Sequence, residues 1–214
     1  QFSYQINTLN RKLYATEGTN LFIRAKFLTG LESYYPGSTA IDSVEAIRTP
    51  GHDWFNLKLT FDKYIKPIKY FKLGVFAEGV YSSQDFFRNY NASILSAPAF
   101  NPIPESQTLF IDAYRAHQYI AGGLKAIATP YKNIDIRFEG YLYQPVLSTL
   151  KNKNGKANYS TPFLYRHFLG MGALVYHTPV GPLSIGVNYY DQNQNSFSFF
   201  FHFGYILYNK KSID

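Results

Sequence analysis

Phe197–Tyr208 reads FSFFFHFGYILY, and its parity decides the fold class. Phe197, Phe199, Phe201, Phe203, Tyr205 and Leu207 fall on one side of an extended chain, while Ser198, His202 and Gly204 fall on the other. A period of two is the signature of a β-strand with one greasy face and one mixed polar face. The run also matches a tilted bilayer crossing, which takes about 9 to 11 residues. The same pattern recurs along the chain, so function is to be sought in a membrane barrel.

Composition agrees. Hydrophobic residues make up 46% of the 214 residues, yet mean hydropathy is −0.22, and no run approaches the roughly 20 apolar residues of a membrane helix. A membrane barrel hides its apolar residues by alternation, so average hydropathy misses it. Aromatics reach 19%, with 20 Tyr and 19 Phe against one Trp, which fits aromatic girdles at two membrane interfaces. Cysteine is absent, which removes disulfides and thiolate metal sites. The net charge of +7 comes from basic residues scattered over strands and turns instead of one stripe. That distribution argues against nucleic acid and for anionic outer-membrane lipids and lipopolysaccharide as partners. No signal peptide is read, so the chain is expected to be a mature protein or a fragment.

Period-two alternation gives about nine strands, at 1–8, 20–30, 53–65, 69–81, 119–129, 133–144, 165–177, 182–191 and 196–208. Opposite Phe55, Leu57, Leu59 and Phe61 stand Asn56, Lys58, Thr60 and Asp62; opposite Ile134, Ile136 and Phe138 stand Asp135, Arg137 and Glu139. Charges in mid-strand suit a watery lumen and would be costly in an ordinary core. Connections alternate. Short turns are predicted at Tyr64–Pro67, Pro130–Asn133 and Thr178–Pro182, and long loops at about 31–52, 82–118 and 146–164. Short turns on one side and long loops on the other describe a bacterial outer-membrane barrel, with the short turns periplasmic. The loop over 82–118, about 37 residues with Pro98, Pro102 and Pro104, is long enough to expect a job, folded inward or extracellular. Nine strands put the two chain ends on opposite sides, so the chain is expected to be the C-terminal part of a larger barrel; eight or ten would leave a complete small barrel.

Two stretches carry a family resemblance. TPVGPLSIGVNYYDQNQNSFSFFFHFGYILY, Thr178–Tyr208, with its turn residues Pro179, Gly181 and Pro182, resembles the last two strands of the bacterial surface-antigen (BamA-like) barrels. NTLNRKLYATEG, Asn7–Gly18, is similar to a periplasmic turn of that superfamily. SAPAF (96–100), PESQTLF (104–110), YRAHQYIAGGLKA (114–126) and the ending FGYILYNKKSID resemble the barrel part of Bacteroidetes-type patatin-like phospholipases. The resemblance covers essentially the whole chain. It implies roughly the last nine strands of a sixteen-stranded barrel in the outer membrane. It further implies that this barrel anchors and exports a lipid acyl hydrolase attached at its N-terminal side, so the N-terminal part of the same protein is an implied partner. A barrel-insertion factor of the BamA class, and a small complete barrel acting as porin or lipid-modifying enzyme, stay open as alternatives. Upstream sequence separates them: a G-x-S-x-G domain, tandem periplasmic repeats, or a signal peptide abutting Gln1.

The superfamily's inward loop carries an arginine tetrad, of which only Arg115 is matched here. The resemblance makes Glu139 its acidic partner, with Lys125 standing where a second acid is expected. Carboxylate pairing would hold such an arginine in a partly dry lumen; a loop arginine on solvent or lipopolysaccharide phosphate is the plainer alternative. The last strand, with Phe197, Phe199, Phe201, Phe203 and Tyr205 outward and Gly204 inward, reads either as a seam that opens or as a plain closing strand. No nucleophile elbow occurs, so no catalytic residue is assigned to this chain. His52, His117, His167, His177 and His202 lack metal-ligand spacing, and Gly122-Gly123 and Gly170-x-Gly172 lie in strands with no helix to make a phosphate loop, so neither metal nor cofactor is expected.

Overall fold

The computed structural model describes residues 1–34, 47–48, 51–191 and 196–204. Nine strands pair in chain order into one antiparallel sheet. They are β1 (Phe2–Asn7), β2 (Thr19–Gly30), β3 (His52–Ile68), β4 (Phe71–Ser82), β5 (Gln118–Tyr131), β6 (Ile134–Pro145), β7 (His167–Thr178), β8 (Gly181–Tyr190) and β9 (Phe197–Phe203). Among the described residues the sheet is not closed: there β1 pairs only with β2, and β9 only with β8. Tyr205 and the rest of the expected final strand lie outside the described residues. Two small ladders stand apart from the sheet, Ser33–Tyr34 with Ile47–Arg48 and Thr149–Lys151 with Ala157–Tyr159. Among the described residues no helix is long and apolar enough to cross a membrane.

Two prolines move the predicted turns. β3 continues through Pro67 to Ile68, with a register shift between Ile65 and Ile68, so the chain reverses at Lys69–Tyr70 and not at Tyr64–Pro67. Proline has no N–H to give the ladder, and a bulge absorbs that loss. β5 likewise passes Pro130, shifts register between Ala128 and Tyr131, and reverses at Lys132–Asn133 with Asn133 at φ 89°. The third reversal is Pro179–Val180, clasped by Thr178 Oγ1, which donates to Gly181 O at 2.6 Å.

The two faces of the sheet differ from β3 onward. One exposes a band of large apolar side chains: Phe2, Phe27, Leu59, Leu73, Leu124, Phe138, Leu174, Ile185 and Phe199 stand in solvent-accessible positions on strands β1 to β9 in turn. The other face is concave and filled. Residues 83–117 fold across it and contain the helix α1 (Tyr90–Ser96), whose N-terminus is capped by Asn89 accepting from the Ala92 N–H at 2.7 Å. Phe100, Ile103, Tyr114 and Ala116 of this segment join Phe76, Tyr119, Tyr141, Tyr143, Leu169 and Tyr190 of the strands in one buried cluster. Phe100 stacks on Tyr143 with centroids 5.3 Å apart and planes 18° apart. The long loop over 82–118 is therefore an inward-packed segment. Gly123 shows why small residues are needed on this face: the Tyr141 ring occupies the space a side chain would take.

Candidate functional site

The concave face concentrates the buried charge. On β6, Arg137 and Glu139 lie two residues apart and so share a face. Arg137 Nη2 and Nε donate to Glu139 Oε1 at 2.7 and 3.0 Å, and Tyr141 Oη donates to Glu139 Oε2. Lys125 stands directly across on β5, in register with Glu139. Its ammonium reaches over β4 to Asp62 on β3 at 2.7 Å and to the Tyr64 hydroxyl at 3.0 Å. Glu78 on β4 accepts from Tyr119 at 2.7 Å, from Thr60 at 3.0 Å and from Lys58 at 3.0 Å. Arg137 is 1% exposed, Lys125 5% and Glu139 8%. Burial at this depth is tolerable because the charges are paired and hydrogen-bonded.

A second layer closes one end of this face. The turn between β1 and β2 folds inward, and Arg137 Nη1 donates to the carbonyls of Tyr14 and Ala15 at 3.1 and 2.9 Å. Tyr14 donates to Glu105 of the inward segment at 2.7 Å and meets the Ser184 hydroxyl at 2.9 Å. Arg11 reaches Asp135 at 3.3 Å, where His177 also lies 2.6 Å from the same carboxylate oxygen. The resembled turn motifs at 7–18 and 179–182 meet here. A methyl on Gly204 would come within 3.1 Å of Pro182 and 3.2 Å of Leu13, so close packing accounts for the glycine after β9. The Gly204 N–H donates to the Pro182 carbonyl at 2.8 Å, which ties the chain just after β9 to the turn beside it. Burial raises the Tyr14 phenol far above its ordinary range, helped by Glu105 and opposed by Ser184 and Arg137.

Arg115 and Glu139 are not brought together. Glu139 is taken by Arg137 and Tyr141 on its own strand. Arg115 donates to the carbonyls of Leu95 and Ala97, both at 3.1 Å, and lies 4.6 Å over the Phe110 ring. Its role is to staple the inward segment to itself, since carbonyls at a helix end satisfy a guanidinium without a carboxylate. The position that resemblance assigned to an acid carries Lys125, and Arg137 supplies the guanidinium that the expected pair required. Its signal was present in the sequence, as an arginine and a glutamate at strand spacing i, i+2.

The histidines are dispersed. His52 lies 3.3 Å from Glu32 and His202 3.7 Å from Glu105, while His117, 2% exposed, has neither ring nitrogen hydrogen-bonded. Burial pulls the His117 imidazole below its ordinary value, with Asp85 opposing. Tyr114 donates to the Phe168 carbonyl at 2.6 Å and accepts from the Asp191 N–H at 3.0 Å, and burial raises its phenol. Among the described residues no three His, Asp or Glu side chains gather as metal ligands. What the arrangement can do is hold a polar, aromatic interior rigid inside a curled wall. Comparison with protein-family models, with characterised proteins and with solved structures finds no match.

Proposed function

We propose that this chain is the C-terminal wall of an outer-membrane β-barrel that anchors and exports a patatin-like lipid acyl hydrolase attached at its N-terminal side. The observation that carries the membrane reading is the inversion of the sheet. Leu124, Phe138 and Phe199 stand 70%, 64% and 85% exposed on one face, while Arg137 and Glu139 are buried on the other. A water-soluble sheet puts these classes the other way round, whereas lipid outside and a polar interior require this order. Among the described residues the outer edges of β1 and β9 are unpaired, which supports a wall that continues into further strands, because exposed edges cannot persist in hydrocarbon. The hydrolase rests on the resemblance of the segments 96–100, 104–110, 114–126 and 203–214 alone.

Membrane fractionation of the native product, with peptide mapping upstream of Gln1, tests both parts. Recovery in the outer-membrane fraction, resistant to carbonate and high salt, with an upstream G-x-S-x-G domain, is the expected result. Extraction by salt alone overturns the membrane wall, and tandem repeats without the serine elbow overturn the hydrolase.

A further inference from the structure

Among the described residues, the cations on the β2–β3 part of the concave face outnumber their carboxylate partners. Arg24 and Lys26 on β2 face Lys58 and Asn56 on β3 in direct register, so two cations, Arg24 and Lys58, sit opposite each other across a strand pair. Like charges in that position repel. Lys58 has a partner in Glu78, whose oxygens are also occupied by Thr60 and Tyr119. For Arg24 and Lys26 no carboxylate lies in salt-bridge range among the described residues; Arg24 rests 5.6 Å from the Phe22 ring, and its Nε is shut off from solvent with no hydrogen-bond partner.

These three cations line a cavity of about 310 Å³ between the sheet and the inward segment, with Trp54, Asn56, Gln84 and Phe87 among its walls. That volume suits a small molecule or one headgroup. Three positive charges less the one matched by Glu78 leave two, and a phosphomonoester carries about −1.5 to −2 at neutral pH. A guanidinium and an ammonium are the usual partners of such a group, and a recessed basic cleft concentrates it. We propose that this pocket binds a phosphomonoester group, with Arg24 and Lys26 as its principal contacts and Trp54 as an aromatic wall. The shared chemistry is the dianionic phosphate, delivered by a soluble phosphorylated molecule or by a lipid headgroup. The inference stands on the pocket and is independent of the membrane and hydrolase readings.

The test uses the full-length product in detergent, titrated with glycerol 3-phosphate, inorganic phosphate and dihexanoyl phosphatidic acid at constant ionic strength. Binding is followed by calorimetry and by Trp54 emission, taken as the difference from the Trp54→Phe protein. Saturable binding that Arg24→Gln and Lys26→Gln each weaken by about tenfold or more is expected from loss of a charge-assisted contact. Phosphatidic acid binding at least as much more tightly than glycerol 3-phosphate assigns the ligand to lipid, and equal binding assigns it to a soluble molecule; both uphold the pocket. No saturable response of the wild-type protein to any phosphate, or a response that equimolar chloride reproduces, overturns the proposal without reliance on any variant. Unchanged affinity in both folded variants overturns it as well.

Discussion

The interior face has two halves built from the same residue types to opposite ends. Over β5 and β6, Lys125, Arg137 and Glu139 are buried and paired, with the turn between β1 and β2 lying over Arg137. Over β2 and β3, Arg24 and Lys26 remain half-buried without a carboxylate partner among the described residues and border a cavity. Charge on a concave wall is structural where each ion finds its counter-ion within the chain, and available for binding where it does not.

The largest effect is expected at Glu139. Glu139→Gln strands Arg137 in the interior, while Lys125 keeps Asp62, and a loss of about 3–5 kcal/mol is expected, read from denaturant unfolding in detergent or from heat-dependent gel mobility. A loss below about 1 kcal/mol would mean that water reaches this half as freely as the other. Phe100→Ala removes the ring stacked on Tyr143 and is expected to cost about 3 kcal/mol. It should also hasten proteolysis within 83–117 before the strands are attacked.

His117 sharpens the contrast through pH. Its folded-state pKa is lowered by burial, so the folded state binds fewer protons than the unfolded one. Stability is therefore full above the unfolded value of about 6.5 and falls as pH drops through it, by at most about 1.4 kcal/mol per pH unit. His117→Gln should flatten that slope between pH 6.5 and 5, and a slope unchanged by the substitution would place the titration elsewhere. The smallest effect is expected at Arg24. In the absence of phosphate, Arg24→Gln relieves the repulsion from Lys58, and stability should stay level or rise by about 0.5 kcal/mol. Destabilisation by more than about 1 kcal/mol would put Arg24 in the same structural class as Arg137.

The nine strands were legible because alternation survives wherever one face meets a different environment from the other, as in Phe55 to Asp62 and Ile134 to Glu139. Ends were less legible at Pro67 and Pro130, where a bulge lets the strand outlast its proline. The importance of 82–118 was visible in its length and prolines, but its aromatic docking was not, since nothing local marks Phe100 as the partner of Tyr143. The expected Arg115–Glu139 pair failed for a related reason. A pairing across the interior depends on which face and which level each side chain reaches, whereas Arg137 and Glu139 needed only strand spacing.

The inward turn after β1 also bears on time. Tyr14 meets Ser184 across a separation of 170 residues, and Arg11 meets His177 across 166. Neighbouring strands close loops far shorter than these separations, but these contacts wait for β7 and β8 to exist and to curl around. The locking turn therefore stays undocked until β7 and β8 are in place, so the wall should zip early and latch last.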